Sequence, residues 1–426
     1  MSTIAFCPYF ELGHIVPTLR LAQGLRSAGH RVVYSAVPDF QNTLEALGFE
    51  TVALMPDYFP AGTLARLHRM SQVEHEALSI EMSFAFLRVL LDDEFDEHLQ
   101  VLAPDVLLAD NLLYGLLMAA HPRNILCYRV STALADAPAP GVPPLTTSLP
   151  YGDTPERRMA AEQAWHGLLS AAPSELDKQY MQLDRQISEK YGIPADALQK
   201  GTFGPSLHTV PELVLCSSAF DFPRPASELR HYIESLALER APVAFPWHRL
   251  SPDRPLVFCS LGSQSYRIPG ALRFLSEVVA AAASRPDWQF VVVLGSRWSD
   301  GDFRAIPDNA VLVPFAPQEH LLPRSSLVIT HAGLGTIKES IYFGVPMLAF
   351  PLLYDQPGNG ARITYHGLGE VGDFHAVTAP ELVEMIDRVL TDRDLPGRMA
   401  AMRRSFEELE HRRPGLALIE NALATR

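Results

Sequence analysis

Apolar and polar residues alternate along the chain in blocks that predict repeated strand–helix units. The first block, TIAFCPYF from Thr3, is a short apolar run typical of a buried strand. Residues 13–29 then place apolar side chains at helical spacing, and Gly29 fits a helix end. The next block, HRVVYSAV, predicts a second strand, so the chain begins with a strand–helix–strand unit of the kind that forms parallel sheets.

A second series of strand–helix units begins near residue 254. Its predicted strands alternate with helices that begin near Ala271 and Gly335, and they read PLVFCSLGS, WQFVVVLGS, NAVLVPFAP, SSLVIT and PMLAFPL. Between the two series, residues 221–253 carry several prolines, as a linker does. The pattern predicts an α/β fold with two Rossmann-like, doubly wound parallel-sheet domains that face each other across a cleft.

The spacing of these blocks predicts the domain boundaries. We expect a first domain at residues 1–220, a second at residues 254–400, and a C-terminal helix at residues 401–426 that packs back on the first domain. The first domain contains two largely helical insertions, at about residues 58–100 and 140–200. Insertions into a sheet domain often build a binding cleft.

Charge changes this picture only by excluding some partners. The 426 residues include 35 Lys and Arg against 49 Asp and Glu, which gives a formal net charge of −14. A nucleic-acid binder needs a basic surface, so nucleic acid is not an expected partner. The chain also lacks an apolar run long enough to insert stably into a membrane, while a peripheral contact through an apolar patch stays open.

The cysteines and the N-terminus indicate a cytoplasmic protein. Cys7, Cys127, Cys216 and Cys259 lie far apart, mostly in apolar runs, which predicts buried, reduced thiols. The N-terminus lacks the basic and apolar segments of a secretory signal. No cluster of histidine and cysteine predicts a metal site.

The segment HAGLGT, from His331 to Thr336, lies where a predicted strand becomes a helix. Free N–H groups at a helix N-terminus attract an anion, and Gly333 allows a ligand to approach closely. A similar turn, GSQS from Gly262, adds the hydroxyl of Ser263. The pattern is typical of a diphosphate cradle, although an ordinary strand-to-helix turn with glycine for packing stays an alternative.

Glu339 lies about one helical turn after Thr336 and therefore shares its face of the helix. A carboxylate in this position can accept hydrogen bonds from a ribose diol, as acidic residues do in dinucleotide sites. A solvated helix charge stays the alternative.

His14 and Asp110 each lie at the end of a predicted strand of the first domain. The carboxyl ends of parallel strands share one edge of a sheet, so the two side chains can meet there. An imidazole suits general-base catalysis near neutral pH, and a carboxylate can fix its tautomer. A histidine that only begins a helix or packs in the core stays the alternative, and Asp105 is expected to be an exposed turn residue.

Several other catalytic motifs are absent from the sequence. There is no G-x-x-x-x-G-K-[ST], which argues against an ATP-type phosphate loop. GSQS does not match G-x-S-x-G, and the first strand–helix turn has too few glycines for a dinucleotide fingerprint.

Two segments carry a family resemblance that extends over essentially the whole chain. Residues 13–32, GHIVPTLRLAQGLRSAGHRV, resemble the N-terminal signature of the UDP-glycosyltransferase superfamily. Residues 315–362, from FAPQEH to GNGAR, resemble its nucleotide-sugar motif. The resemblance implies the GT-B fold, with an acceptor-binding N-terminal domain and a nucleotide-sugar-binding C-terminal domain.

The resemblance also implies where the donor nucleoside binds. Phe315 stands where many members have a tryptophan that stacks on uracil, and a phenylalanine keeps an aromatic face of smaller area. Gln318, with the backbone near Ala316, would read the edge of the base. Glu339 would bind the ribose hydroxyls.

The remaining matched positions would hold the diphosphate and the sugar and would carry the reaction. Asp355 and Gln356 would bind sugar hydroxyls, and His14 would be the catalytic base with Asp110 as its partner. The diphosphate would be bound by five residues: Ser263, His331, Gly333, Gly335 and Thr336.

The chain departs from plant members of the family, which typically read HCGWNS where this chain reads HAGLGT. Leu334 and Gly335 thus replace a tryptophan and an asparagine, and backbone groups must take over their contacts. The pattern is more similar to bacterial members, including carotenoid glucosyltransferases. The Asp355–Gln356 pair favours a UDP-glucose-like donor, and bacterial relatives also use deoxythymidine diphosphate sugars.

These features predict an inverting, metal-independent glycosyltransferase without a cofactor. Its co-substrate would be a UDP-sugar, with UDP-glucose expected and a dTDP-sugar as the alternative. The acceptor would be a small hydrophobic molecule of polyketide, phenolic, terpenoid or carotenoid type, and the protein a monomer or a homodimer. Two other hypotheses are a sugar-nucleotide epimerase with the GT-B fold and a catalytically silent partner of another transferase. The paired His14 and Asp110 weigh against both.

Overall fold

Two parallel sheets form the framework of the protein. The computed structural model describes residues 1–67, 70, 72–236, 244–262 and 268–426. The strands in this part of the chain are β1 (Thr3–Cys7), β2 (Arg31–Ala36), β3 (Glu50–Ala53), β4 (Val106–Asp110), β5 (Leu126–Ser131), β6 (Leu198–Lys200), β7 (Pro205–Leu207), β8 (Glu212–Val214), β9 (Arg230–Tyr232), β10 (Leu256–Ser260), β11 (Gln289–Val293), β12 (Ala310–Val313), β13 (Leu327–Thr330), β14 (Met347–Ala349) and β15 (Gly369–Val371).

Helices cover both faces of the sheets. They are α1 (Leu12–Ile15), α2 (Leu19–Ser27), α3 (Gln41–Ala46), α4 (Thr63–Leu67), α5 (Gln72–Leu91), α6 (Glu94–Leu102), α7 (Tyr114–Ala120), α8 (Pro155–Ser170), α9 (Glu175–Tyr191), α10 (Ala271–Ser284), α11 (Gln318–Leu321), α12 (Leu334–Phe343), α13 (Gln356–His366), α14 (Ala379–Thr391), α15 (Leu395–Arg412) and α16 (Pro414–Ala424). None of these helices combines the length and the apolar composition that a membrane crossing requires.

The strand order locates the ligand-binding edge of each sheet. The first sheet has the order β3-β2-β1-β4-β5-β8-β9 and the second the order β12-β11-β10-β13-β14-β15, with all strands parallel. In both sheets the order reverses beside the first strand of the domain, β1 or β10. Ligands of open α/β sheets bind outside the carboxyl ends of the strands at this point. The predicted fold of two doubly wound parallel-sheet domains is confirmed.

The apolar runs of the sequence also predicted which strands are buried in the cores. Every residue of β4 and β10 is buried, as expected for short apolar runs in parallel sheets. The four cysteines are buried and form no disulfide. The two helical insertions of the first domain contain α5 and α6, and α8 and α9, with Phe84 of α5 stacked on Tyr180 of α9.

The first sheet extends further along the chain than the sequence predicted. Strand β9 pairs with β8 in parallel and adds a strand beyond residue 220, the predicted end of the first domain. Strand β9 lies within residues 221–253, the expected linker. Its sequence, RHY, is short and follows a proline-rich stretch, so it lacks the apolar run that marks the other strands.

The C-terminal helices divide between the two domains. Helix α15 packs against α12 of the second domain, whereas α16 packs against α2 and β9 of the first. The first N–H groups of α16, those of Gly415 and Leu416, donate to the carboxylate of Glu234 at 2.8 and 3.0 Å. A carboxylate at a helix N-terminus satisfies these unpaired donors, which fixes α16 on the first domain.

A buried ion pair joins the two domains. Arg362 of α13 is fully buried and donates through Nε and Nη2 to Asp221 Oδ1 at 2.9 and 2.7 Å. The other oxygen of Asp221 accepts from Arg224 at 3.0 Å and from Tyr232 at 2.6 Å. Burial raises the pKa of the Asp221 carboxyl, but the two guanidinium groups outweigh it and hold the pKa below its usual value. The satisfied network fixes the segment that leads from one domain to the other.

A long loop of the first domain also reaches the second. Residues 132–154, named the strap loop here, run from β5 to α8. In its middle, the backbone oxygen of Leu145 accepts a hydrogen bond of 2.8 Å from the N–H of Gly358 in the first turn of α13. A side-chain Cβ at Gly358 would lie only 2.6 Å from that oxygen, so this contact requires glycine. Leu145 is buried in the same apolar cluster as the core of the second domain.

Candidate active site

His14 and Asp110 lie together at the carboxyl edge of the first sheet. Strand β1 pairs with β4, with Cys7 opposite Ala109, so α1 carries His14 to the end of β4. His14 Nδ1 lies 2.8 Å from Asp110 Oδ2, and Asp110 is only 3% exposed. His14 and Asp110, which the sequence predicted as the catalytic base and its partner, are therefore in direct contact.

Thr132 makes a second contact with the same nitrogen of His14. Its Oγ1 lies 2.8 Å from His14 Nδ1, while the second oxygen of Asp110 accepts from the Leu112 N–H at 3.0 Å. Because a carboxylate only accepts hydrogen bonds, Nδ1 must carry a proton in the neutral ring. The lone pair of the imidazole is then on Nε2, which is the nitrogen that can take a proton from another molecule.

Opposing effects set the basicity of His14. Burial lowers its pKa, but the charge and hydrogen bond of Asp110 raise it more, and Glu11 and Asp355 act in the same direction. The pKa of His14 is therefore raised above its ordinary value of 6.5. Asp355 belongs to the second domain, so carboxylates of both domains stabilise the protonated ring.

His331 lies in the turn between β13 and α12 and packs between two glycines. A Cβ at Gly262 or at Gly333 would come within 2.6 Å of its ring, so both positions require glycine. Burial lowers the pKa of His331 to about 4, although a hydrogen bond to the Ser260 backbone opposes this effect. Its Nδ1 is buried without a hydrogen-bond partner in the described part of the chain. His331 is thus a neutral ring in the wall of the turn.

Helix α12 begins at Leu334 without a side-chain cap. Its N-cap residue, Gly333, makes no side-chain capping hydrogen bond, so the first N–H groups of the helix remain available to a ligand. Gly335 is exposed, and no atom lies within 4 Å of where its Cβ would be. Thr336 follows in the same turn. Ser263, the remaining residue expected to bind the diphosphate, lies outside the described residues.

The residues expected to bind the nucleoside form a second group beside this helix. Gln318 Nε2 donates to Glu339 Oε2 at 2.7 Å and lies 3.5 Å from the hydroxyl of Thr336. Phe315 precedes them in the turn after β12 with 60% of its side chain exposed, and Ala316 is half-buried. An uncovered aromatic ring next to paired amide and carboxylate groups is suited to a stacked base and a hydroxylated ribose.

Asp355 and Gln356 begin α13 at the same edge. Asp355 is the N-cap residue and accepts from Asn359 Nδ2 at 2.8 Å. Gln356 Oε1 accepts from the N–H groups of Leu352 and Leu353, each at 3.0 Å, which leaves its amide nitrogen to donate. Burial raises the pKa of Asp355, while Asn359 and the nearby charge of His14 lower it. The charge of Asp355 therefore acts on His14 across the domain boundary.

Apolar side chains surround this meeting point. Leu12 precedes His14 and is 45% exposed, while Leu353 and Tyr354 precede Asp355 and are 50% and 58% exposed. Tyr354 adopts φ +56°, a left-handed conformation that is costly for a side chain of this size. The rim of the site therefore offers an apolar surface from each domain.

Sequence reasoning missed two residues of this arrangement. Thr132 directly follows β5, and its position at a strand end could have identified it. It also begins the proline-rich strap loop, in which no catalytic residue was expected. Asn359 bonds residues of two separate turns, and no spacing in the sequence reveals that they are close. Among the described residues, no group of three or more His, Cys, Asp or Glu side chains is arranged to hold a metal ion.

Comparison with known proteins gives this site a context. Residues 195–414, more than half of the chain, match the family described as UDP-glucoronosyl and UDP-glucosyl transferase. A demethyllactenocin mycarosyltransferase of Streptomyces fradiae is 26% identical over 404 residues, which cover 92% of this chain and 80% of that protein. A zeaxanthin glucosyltransferase of Pantoea ananas is also 26% identical, over 429 residues that cover 98% and 95% of the two chains.

Solved structures share the whole architecture. The glycotransferase of kitacinnamycin superposes with a TM-score of 0.72 at 22% identity, and the superposition covers 99% of this chain and 98% of that one. Its two facing α/β domains are those of the GT-B fold. The chain therefore belongs to the UDP-glucuronosyl and UDP-glucosyl transferase family and is a glycosyltransferase that uses a nucleotide sugar.

Proposed function

We propose that this protein is an inverting, metal-independent glucosyltransferase that transfers glucose from UDP-glucose to a hydroxyl of a small hydrophobic acceptor. The observation that carries the proposal is the contact of His14 with Asp110, which leaves Nε2 basic at the edge of the first sheet. The coupling of His14 to Asp355 adds support, since it indicates that the base lies beside the residue expected to hold the sugar.

Proton transfer is the task of His14. Nε2 removes the proton of the acceptor hydroxyl while that oxygen attacks the anomeric carbon of the donor. Asp110 and Thr132 hold the ring through Nδ1, and the carboxylate stabilises the imidazolium that forms. General-base assistance of this kind contributes about 10²- to 10⁴-fold to a rate.

Departure of the nucleoside diphosphate is the task of the second domain. Its developing negative charge would face the free N–H groups at the start of α12, where the helix dipole is positive. Because His331 is neutral, it contributes a shaped wall to the turn rather than a charge. The helix N-terminus therefore carries the electrostatic part of this step.

Inversion follows from a single displacement. The base and the diphosphate turn belong to different domains, so the acceptor oxygen and the leaving group would lie on opposite sides of the anomeric carbon. A donor with an α-linked sugar would yield a β-glycoside. Asp355, and Gln356 through its amide nitrogen, would orient the sugar by its hydroxyls. Holding both reactants in line supplies much of the remaining rate enhancement.

The acceptor class is inferred from the apolar rim. Leu12, Leu353 and Tyr354 are exposed beside the pair of His14 and Asp355 and would cover an apolar acceptor. The relative named zeaxanthin glucosyltransferase and the relative named demethyllactenocin mycarosyltransferase agree with a natural product of polyketide or carotenoid type. The first name favours glucose, whereas the second leaves another sugar open. A dTDP-sugar is therefore the alternative donor.

A donor-by-acceptor screen tests the proposal. UDP-glucose, UDP-galactose and dTDP-glucose are each incubated with hydroxylated polyketides, phenols and carotenoids, and the products are read by mass spectrometry. We expect the mass of one hexose on an apolar alcohol with UDP-glucose, and an anomeric coupling in the proton NMR spectrum that identifies a β-linkage. A retained α-linkage would contradict the single displacement.

The two rival hypotheses give different results in the same screen. An epimerase would convert UDP-glucose into a second sugar nucleotide without any acceptor. A catalytically silent partner would transfer nothing and would leave the melting temperature unchanged with every nucleotide sugar. Transfer that depends on the acceptor excludes both.

A further inference from the structure

Asn359 lies at the junction between the diphosphate turn and the sugar site. It is fully buried in the first turn of α13. Its Nδ2 donates to the backbone oxygen of Ala332 at 3.0 Å and to Asp355 Oδ2 at 2.8 Å. Ala332 lies between His331 and Gly333, so a single amide group connects the turn before α12 with the N-cap of α13.

The orientation of this amide is fixed by its partners. Both N–H groups of Asn359 have acceptors, whereas its Oδ1 is buried without a hydrogen-bond partner in the described part of the chain. Rotating the amide by half a turn would place Oδ1 against the backbone oxygen of Ala332 and against a carboxylate, which are both acceptors. An unsatisfied buried oxygen costs free energy, and the two hydrogen bonds that Asn359 donates offset this cost.

Each of the two bonds supports an otherwise unfavourable feature. Ala332 has φ +66°, a left-handed conformation that is unfavourable for an alanine. The bond to its carbonyl holds this peptide, and with it the direction of the next N–H groups at the start of α12. Asp355 is a half-buried carboxylate, and Asn359 is the strongest of the groups that favour its charged form.

Other charges near Asp355 come from both domains. His14 faces it from the first domain, and Arg362 lies one turn further along α13 than Asn359. Arg362 is already paired with Asp221, and His14 with Asp110. Asn359 is therefore the neighbour whose hydrogen bond to Asp355 fixes the direction of its carboxylate.

We infer that Asn359 is a positioning residue for donor recognition, which aligns Asp355 with the sugar while it holds the Ala332 peptide in the geometry that receives the diphosphate. This inference rests on the proposed function, because it takes the diphosphate and the sugar to lie at these two turns. It predicts that recognition of the sugar depends on an amide that touches neither substrate.

The test compares Asn359→Ala with Asn309→Ala. Asn309 is a matched control, because its Nδ2 also donates to backbone oxygens of the second domain, those of Ala282, Arg285 and Trp288, away from the site. Binding of UDP and of UDP-glucose is measured by calorimetry, and transfer is measured against pH. For Asn359→Ala we expect kcat/KM for the donor to fall about 10- to 100-fold, as for a lost hydrogen bond to a charged group.

Two further readouts separate positioning from structural support. The ratio of the affinities for UDP-glucose and UDP should fall about tenfold, because the sugar loses an aligned carboxylate. The ratio of variant to wild-type transfer should fall as the pH is lowered, since Asp355 loses the group that favours its ionised form and is protonated at a higher pH. Asn309→Ala should change neither, even if it melts at a lower temperature.

Asn359→Asp keeps the shape of the side chain and provides a second test in case Asn359→Ala does not fold. Two carboxylates would face each other at neutral pH, so transfer should fall further than in Asn359→Ala. At lower pH one proton shared between them restores a hydrogen bond, so the ratio of variant to wild-type rate should rise. Taking this ratio at each pH removes the part of the His14 titration that the variant shares with the wild type.

The outcomes separate this inference from the proposed function. If the wild type binds both ligands and transfers sugar, but Asn359→Ala keeps the affinity ratio and pH profile of the wild type, Asn359 is only structural and the inference is overturned. If the wild type binds neither UDP nor UDP-glucose, the proposed function fails and the inference fails with it.

Discussion

His14 and His331 each lie at the carboxyl edge of one of the two parallel sheets, and they have opposite properties. His14 lies in the short helix α1 after β1, whereas His331 lies in the turn between β13 and α12. His14 contacts Asp110, and neighbouring carboxylates raise its pKa above the ordinary value. His331 packs between two glycines, and burial lowers its pKa to about 4.

The topology of each sheet places a histidine at the active site, whereas the neighbouring groups determine the protonation state and the role of its ring. A ring beside a carboxylate is ready to receive a proton. A ring in an uncharged pocket stays neutral and serves as part of the wall of the turn. The division of labour between the domains, with base chemistry in one and anion binding in the other, follows from these surroundings.

The strongest test of this division compares His14→Ala with His331→Ala. Without its base, His14→Ala should lose transfer by about 10²- to 10⁴-fold, while its affinity for UDP stays close to that of the wild type. His331→Ala should weaken the binding of UDP about tenfold, because the diphosphate turn loses the ring that packs between Gly262 and Gly333, and it should keep the shape of the pH profile. Steady-state kinetics and calorimetry measure both. Transfer by His14→Ala at nearly the wild-type rate would refute the base assignment.

Asp110→Asn tests what makes the first ring a base. An asparagine can donate to Nδ1 and so favour the tautomer with its proton on Nε2, and we expect kcat to fall about 10²- to 10³-fold for this reason. Loss of the carboxylate also lowers the pKa of His14, so the acid limb of kcat/KM should move to lower pH. The pH dependence of kcat/KM for the acceptor measures the shift. An unmoved limb would mean that Asp110 does not set the pKa of His14.

Folding stability should respond to pH with opposite signs at the two histidines. The folded pKa of His331 is about 4 against an ordinary 6.5, so protonation of the unfolded chain removes stability as pH falls below 6.5. When the pH falls from 8 to 5, the free energy of unfolding of the wild type should therefore fall by about 2 kcal/mol more than that of His331→Gln. Chemical denaturation at the two pH values measures the difference.

His14→Gln serves as the counterpart in that experiment. The folded pKa of His14 is raised, so its contribution is fully present below 6.5 and is lost as pH rises through the folded pKa. The difference in the free energy of unfolding between the wild type and His14→Gln should therefore favour the wild type more at pH 5 than at pH 8. The same sign of pH dependence at both positions would contradict the contrast between the two rings.

Thr132→Val gives the smallest expected effect. The substitution keeps the shape of the side chain and removes the oxygen that lies 2.8 Å from His14 Nδ1. We expect kcat to fall about three- to tenfold, which corresponds to roughly 1 kcal/mol for one hydrogen bond, with an unchanged KM for the donor. Thr132→Ser keeps the hydroxyl and should retain most of the activity. Equal losses in both variants would show that the methyl group, not the oxygen, is what matters.

Much of the fold was predictable because its signals are local. Strands such as β4 and β10 are short apolar runs, and the helices follow them at regular spacing. The pairing of His14 with Asp110 was predictable as well, because parallel strands bring their carboxyl ends to one edge. Each of these inferences needs only the order of the elements.

The remaining features depend on contacts between distant segments. Strand β9 has too few apolar residues to be recognised alone, and it forms because β8 offers a free edge. Asn359 owes its position to the meeting of two turns, and the low pKa of His331 to the packing of Gly262 and Gly333 around its ring. Such effects arise from burial, which sequence spacing does not record.

The contact between Leu145 and Gly358 sets a rule for building hybrid enzymes. A chimera that joins this N-terminal domain to the donor domain of a relative imports a new α13, whose first turn must fit under the backbone of Leu145. Any residue other than glycine at position 358 would bring its Cβ within 2.6 Å of a backbone oxygen. The strap loop and α13 should therefore be exchanged together, and the crossover point of a successful hybrid is set by this hydrogen bond rather than by the linker.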